Sequence, residues 1–195
     1  MYPNPQIYNN LKCIFVHIPK TAGTSIEQCL KEHNDIEQVV GGHTTCQALI
    51  HYKKNDFCNM FSFAIVRNPY DRLLSAYKYM LKMETNDILG NEPIKQCVDF
   101  RDFVLNYLNS ETISNMHLRP QYEFVTYNGE LCVDYWGKYE QLDDVWKIVC
   151  KKLRKEIILP WLNKSNSEPY QTFYDDEMYE KVKRLYLRDF SYFNY

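Results

Sequence analysis

Twice in the first half of the chain, a short run of branched and aromatic residues stops at a proline-bearing polar turn and gives way to apolar residues at helical spacing. The first run is Cys13-Ile-Phe-Val-His17, halted by Pro19, and the second is Phe61-Ser-Phe-Ala-Ile-Val66, halted by Pro69. Runs of this length and composition suit buried strands, and proline ends them because it has no N–H to give to a ladder. After Lys20-Thr-Ala-Gly23, the tetrad Thr24-Ser-Ile-Glu27 fits a capping box, and Ile26, Cys29 and Leu30 form the apolar stripe of a helix. In the second unit Asn68 is placed to cap, Pro69 to fill the first helical position, and Leu73, Leu74, Tyr77 and Leu81 recur to about Lys82. Two strand–turn–helix units in succession predict a parallel sheet, so the expected class is α/β, open and mostly parallel.

The rest of the chain adds helices at Thr44–His51, Asp99–Leu108, Gln141–Arg154 and Asp175–Phe190, and a strand at Cys132–Trp136, behind an irregular arm at Tyr2–Lys12. No repeat, low-complexity tract or Gly/Ser-rich linker interrupts it, so residues 1–195 read as a single domain.

Composition narrows the function classes. The 195 residues are 45% hydrophobic and 25% charged, with 23 basic against 25 acidic side chains and a net charge of −2. That balance argues against disorder and against a polybasic wrapper of nucleic acid. The longest apolar run, Ile157–Leu162 with Pro160 counted in, falls far short of the roughly 20 residues that cross a bilayer. With no leader pattern at the N-terminus, a cytoplasmic location is expected, with neither nucleic acid nor membrane as partner. Seven scattered cysteines, without a Cys-x-x-Cys pair or zinc spacing, read as free thiols and imply no metal. The basic run Lys151–Lys155 reads as a solvated helix end.

The chemistry concentrates in two turns. In His17-Ile-Pro-Lys-Thr-Ala-Gly-Thr-Ser25 a strand passes through small residues into a helix, which leaves N–H groups available to an anion. Lys20 adds a cation, Thr21, Thr24 and Ser25 add hydroxyls, and Ala22 and Gly23 let the backbone come close. A capped helix start with a surface lysine is the plainer alternative, and the spacing is not that of a Walker A loop. In Arg67-Asn-Pro-Tyr-Asp-Arg-Leu-Leu-Ser75, a guanidinium leaves a strand end and a serine follows two turns into the helix, a second anion-binding candidate.

Phe15-Val-His-Ile-Pro-Lys-Thr-Ala-Gly-Thr-Ser25, followed by Ala64-Ile-Val-Arg-Asn-Pro-Tyr-Asp-Arg-Leu-Leu-Ser-Ala-Tyr77, resembles the carbohydrate-type sulfotransferases that use 3′-phosphoadenosine-5′-phosphosulfate (PAPS), among them the heparan sulfate 2-O-sulfotransferases. The resemblance implies a P-loop-like three-layer fold. It also implies that Lys20, Thr21, Ala22, Gly23, Thr24 and Ser25 hold the 5′-phosphosulfate and that Arg67 and Ser75 hold the 3′-phosphate. Gly42-His43-Thr-Thr lies where such enzymes place a catalytic histidine. His117-Leu-Arg-Pro-Gln121 resembles their His-x-x-Pro-Gln segment, which implies acceptor contacts for His117, Pro120 and Gln121. Leu159-Pro-Trp-Leu-Asn-Lys-Ser165 resembles their late loop and adds Ser165 to the donor side. The implied reaction moves a sulfuryl group from PAPS to a hydroxyl, expected on a carbohydrate or small molecule, with release of adenosine 3′,5′-bisphosphate. Lys20 is the expected stabiliser of the leaving group, His43 the expected base, and no metal is required. A nucleotide kinase or NTPase-like enzyme, and a non-catalytic nucleotide-binding protein on the same fold, remain the alternatives.

Overall fold

The structure, a computed structural model, describes residues 7–33, 42–83, 92–159 and 168–195. The strands in chain order are β1 (Ile7–Tyr8), β2 (Cys13–Val16), β3 (Phe61–Val66), β4 (Thr126–Tyr127), β5 (Glu130–Leu131) and β6 (Tyr135–Lys138). The helices are α1 (Gly23–Lys31), α2 (Cys46–Asn59), α3 (Pro69–Lys82), α4 (Glu92–Lys95), α5 (Phe100–Asp102), α6 (Tyr122–Val125), α7 (Leu142–Leu153), α8 (Asp176–Leu185) and α9 (Leu187–Phe193). The chain divides into two compact units, Met1–Arg67 with Gln121–Ser165 and Asn68–Pro120 with Asn166–Tyr195.

The first unit is built on a sheet of order β1-β2-β3-β6, in which β1 runs antiparallel to β2 and the other pairings are parallel. The fold is α/β, with a mostly parallel sheet flanked by helices. Residues alternate across the strands. Phe15, Phe63 and Ile65 join Ile26, Cys29 and Leu30 of α1 and Leu142, Val145, Trp146 and Val149 of α7 in one buried cluster. Each large apolar side chain taken fully out of water contributes roughly 1.5–3 kcal/mol. Trp146 keeps its polar end satisfied by donating from Nε1 to the Ile157 carbonyl at 2.7 Å. Gly137 on β6 is required by this packing, since a Cβ there would stand 2.4 Å from Val145 Cγ1. The charges along α7 suit its dipole, with Asp143 and Asp144 in the first turn and Lys151 and Lys152 in the last.

Two sequence expectations shift within this unit. The arm expected to be irregular through Lys12 contains β1, whose Ile7 and Tyr8 pair with Ile14 and Cys13. The strand expected at Cys132–Trp136 begins instead at Tyr135. Cys132 N–H is held by the Val125 carbonyl at 2.9 Å, and the Asp134 carboxylate turns to accept from the backbone N–H and hydroxyl of Ser62 at 2.7 and 2.9 Å. Between them β4 and β5 form a hairpin through Asn128 and Gly129, both at positive φ as a tight two-residue turn requires.

The second unit packs α3 against α4, α5 and α8 through Leu73, Leu74, Tyr77 and Met80, with Phe100, Phe103, Val104, Met178 and Val182. Asn68 does cap α3, its side chain accepting from Tyr70 N–H at 3.0 Å, and Pro69 follows as expected. Leu81, expected in the stripe, is exposed, and Met80 is buried in its place. The helix expected over Asp99–Leu108 is one α-helical turn continued as a π-helical turn over Phe103–Tyr107. That over Asp175–Phe190 breaks at Tyr186, whose buried hydroxyl donates to the Leu118 carbonyl at 2.6 Å.

Candidate functional site

The turn between β2 and α1 leaves the strand at His17 and uses two left-handed residues, Lys20 at φ 71° and Ala22 at φ 66°. Neither is a glycine, so the conformation carries a cost that the surroundings must offset. Thr21 helps to do so, buried completely with its hydroxyl donating to the Ile18 carbonyl at 2.9 Å. Ala22, the residue before α1, accepts from the Ser25 and Ile26 N–H groups at 3.1 and 3.2 Å. The capping box expected at Thr24–Glu27 does not form. The helix starts at Gly23, no side chain caps it, and both residues of the expected box lie inside it. Its first N–H groups, at Gly23 and Thr24, precede the first intrahelical bonds and carry the positive end of the helix dipole.

Gly23 answers a steric demand. A Cβ at this position would stand 1.7 Å from Nε2 and 2.0 Å from Cδ2 of His17. His17, which the sequence presents as a plain strand residue, is therefore part of the turn. Its Nδ1 meets the carboxylate Oε1 of Glu27, both side chains being buried.

Arg67 closes the other side of the turn. It follows β3 directly, and its Nη1 donates to the Lys20 carbonyl at 3.2 Å. Its guanidinium lies over the ring of Tyr139, 4.4 Å from the centroid, a contact that sequence pattern did not signal. Gln121, expected at the acceptor, is fully buried and grips the Arg67 backbone from both ends: Oε1 accepts from the Arg67 N–H at 2.9 Å, and Nε2 donates to its carbonyl at 2.8 Å. Arg67, Lys20 and Gln121 thus form one connected assembly in the first unit.

His43 joins this assembly from the segment before α2. Its Nδ1 lies 2.9 Å from the backbone carbonyl of His17, and the two imidazoles meet edge to face with centroids 4.3 Å apart. A carbonyl can only accept, so Nδ1 carries the proton, and the neutral ring has its basic lone pair on Nε2.

The remaining expected residues belong to the second unit or fall outside the described residues. Ser75 (on α3), His117 and Pro120 belong to the second unit. His117 is buried beside Tyr79, with ring centroids 5.0 Å apart, and its carbonyl accepts from Arg72 Nη1 at 3.2 Å. Arg72, fully buried, also donates to the carbonyls of Leu118 and Arg119 and has the Tyr186 ring below its guanidinium. Ser165 lies outside the described residues. Among the described residues no group of three His, Cys, Asp or Glu side chains is arranged to hold a metal ion, and no helix is long and apolar enough to cross a membrane.

No curated protein and no solved structure matches the chain. Residues 7–195 match the family model described as "Sulfotransferase family", which takes in the turn, Arg67, His43 and both compact units. A basic, tightly folded strand-to-helix turn tied to Arg67, within a match over nearly the whole length, has one reading: the chain belongs to the sulfotransferase family.

Proposed function

We propose that the chain transfers a sulfuryl group from PAPS to a hydroxyl of a carbohydrate acceptor and releases adenosine 3′,5′-bisphosphate. The observation that carries this reading is the β2–α1 turn, where Lys20, an uncapped helix start and the anchored imidazole of His43 converge on the residues from His17 to Thr24. The chemistry of the turn fits a phosphosulfate: a cation, unmatched N–H groups and a backbone brought close by Gly23 suit a dianionic group.

PAPS supplies the sulfuryl group and, in its bisphosphate portion, the leaving group. Lys20 and the N–H groups at the start of α1 face the negative charge that develops as the old S–O bond breaks. They stabilise the transition state more than the ground state. His43 accepts the acceptor's hydroxyl proton at Nε2 as the new O–S bond forms, because Nδ1 is already committed to the His17 carbonyl. Arg67 is assigned to the 3′-phosphate, with Tyr139 and Gln121 holding it in place. Ser75 and Ser165 on the donor side, and His117, Pro120 and Gln121 on the acceptor side, are carried by the resemblance alone. The match crosses between the two units three times along the chain, which supports treating residues 1–195 as one sulfotransferase domain. Seven free thiols support a reducing, cytoplasmic setting.

Thermal unfolding with adenosine 3′,5′-bisphosphate, with ATP and magnesium, and with buffer tests the donor assignment. A ligand at one hundred times its Kd adds roughly 2.7 kcal/mol of stability. The bisphosphate is expected to raise the midpoint. Stabilisation by ATP with magnesium and none by the bisphosphate rejects the assignment. Radiolabelled PAPS with a panel of glycan, phenol and peptide hydroxyls then tests the acceptor class.

A further inference from the structure

Contacts with four residues, Glu27, Gly23, His43 and Phe15, converge on His17. Its Nδ1 meets the Glu27 carboxylate on α1, and a carboxylate only accepts, so Nδ1 is the donor. The edge of its ring that carries Nε2 fills the space a side chain on Gly23 would need, against the first residue of α1. Its backbone carbonyl takes the Nδ1 proton of His43, and the two rings touch edge to face. Phe15 stacks on the His17 ring with centroids 5.5 Å apart, which fixes the ring plane.

Glu27 is the residue that needs explaining. It is 9% exposed and stands one turn into the helix whose start attracts an anion, where a negative charge opposes ligand binding. Burial of a carboxylate is costly without a partner, and an apolar residue would serve the core at this position at least as well. The acid is accounted for by what it holds.

We propose that Glu27 and His17 are positioning residues of the transfer site: Glu27 locks the His17 ring, and His17 in turn fixes both the first residue of α1 and the imidazole of His43, so that the anion-binding turn and the base keep one geometry. The proposal rests on the reading of His43 as the base. The pair acts through His43 and the turn and does not touch the reacting atoms.

Two measurements test it together. Nitrogen-resolved NMR of the imidazoles reports the tautomer of His43, and steady-state rates report catalysis, for the natural protein, Glu27→Gln and Glu27→Ala. The rates of Glu27→Ala are measured again in a His43→Ala background. Neutral His43 is expected to be protonated at Nδ1 in the natural protein and in Glu27→Gln, whose amide oxygen still accepts from His17, and to become a mixture in Glu27→Ala. The kcat is expected to fall on the order of ten- to a hundredfold in Glu27→Ala, the effect of a displaced catalytic group, with a smaller rise in KM for PAPS as the turn loosens and most of the rate kept by Glu27→Gln. In the His43→Ala background, Glu27→Ala is expected to cost much less rate than in the natural protein, because only its path through the turn remains. Independent, multiplying losses overturn the proposal. So does an Nε2-protonated His43 in the natural protein, which needs no variant to be read, and so does a Glu27→Gln protein as slow as Glu27→Ala. The tautomer needs no turnover. A protein that transfers no sulfuryl group yet holds His43 protonated at Nδ1 rejects the reaction and keeps the pair's hold on His43. A protein that transfers and shows the opposite tautomer rejects the pair alone.

Discussion

At the scale of single residues, Lys20 and His43 are assigned to opposite ends of the proposed transfer, so their loss is expected to have different signatures. His43→Ala removes a group assigned to the acceptor alone. Bisphosphate affinity is expected to survive while turnover falls roughly 10²- to 10⁴-fold, the span of general-base catalysis. Lys20→Ala is expected to lower donor affinity and turnover together, because the ammonium meets charge in the ground state and more of it in the transition state. Calorimetry and initial rates on both variants separate the roles, and a fully active His43→Ala protein removes His43 as the base. Gly23 offers a steric counterpart. Its missing Cβ leaves room for a His17 ring that Glu27 and Phe15 hold still, so Gly23→Ala cannot be relieved by a simple swing of the imidazole. A loss of about 1–3 kcal/mol is expected from forcing a methyl group into such a space, read as a lowered urea midpoint. An unchanged midpoint would mean that the ring moves freely.

At the scale of elements, Arg67 and Gln121 show how the end of β3 is held at the turn. Gln121→Leu keeps the volume but leaves the Arg67 N–H and carbonyl without the amide that grips them. The cost expected for unsatisfied buried groups is about 1–3 kcal/mol of stability, accompanied by weaker bisphosphate binding as Arg67 loses its fixed direction. A folded Gln121→Leu protein with unaltered bisphosphate affinity would detach the clamp from the site. Much of this level is legible in the sequence, because β2, β3 and the start of α3 are written in local patterns: apolar runs, then Asn68-Pro69. What is not legible depends on partners distant in the chain. Thr24–Glu27 has the form of a capping box, yet Glu27 turns to His17, ten residues earlier, and Ala22 takes the position before the helix in a left-handed conformation that no propensity favours. His17 looks like the last residue of a strand, and only the missing side chain of Gly23 hints that its ring has somewhere to lie. Tyr139 and Gln121 reach Arg67 across 72 and 54 positions of sequence, beyond any periodic signal.

At the scale of the whole molecule, the thiols and buried phenols set how stability depends on pH. Burial pushes Cys13 and Cys29 from an ordinary 9.0 up to about 12, with Cys13 also facing Cys29 and Cys29 facing Cys150 and Glu32, and Tyr8 is displaced upward by burial and by Glu27. Cys46 and Cys132 share a hydrogen bond that moves them in opposite directions, up and down, so their contributions oppose each other. For Cys13 and Cys29 the sign follows from which state holds the proton. Below about pH 9 both folded and unfolded chains keep it and there is no slope; between about 9 and 12 the unfolded chain releases it while the folded chain does not, so the unfolded state binds fewer protons and stability falls as pH rises. Each group that behaves in this way adds up to about 1.4 kcal/mol per pH unit. Urea midpoints measured in reductant are therefore expected to drop steeply between pH 9 and 10.5, and a flat or rising midpoint there would mean that these side chains are not buried as described. The same burial orders the chemistry of the thiols. Cys58 is exposed and is expected to react first with a disulfide reagent at pH 8, while Cys13, Cys29 and Cys46, buried and held in the neutral form, wait for unfolding. Under denaturing, non-reducing conditions all seven are expected to titrate. A defined native bridge found by mass spectrometry would overturn the reducing setting, since a structural disulfide in this chain would require an oxidising compartment.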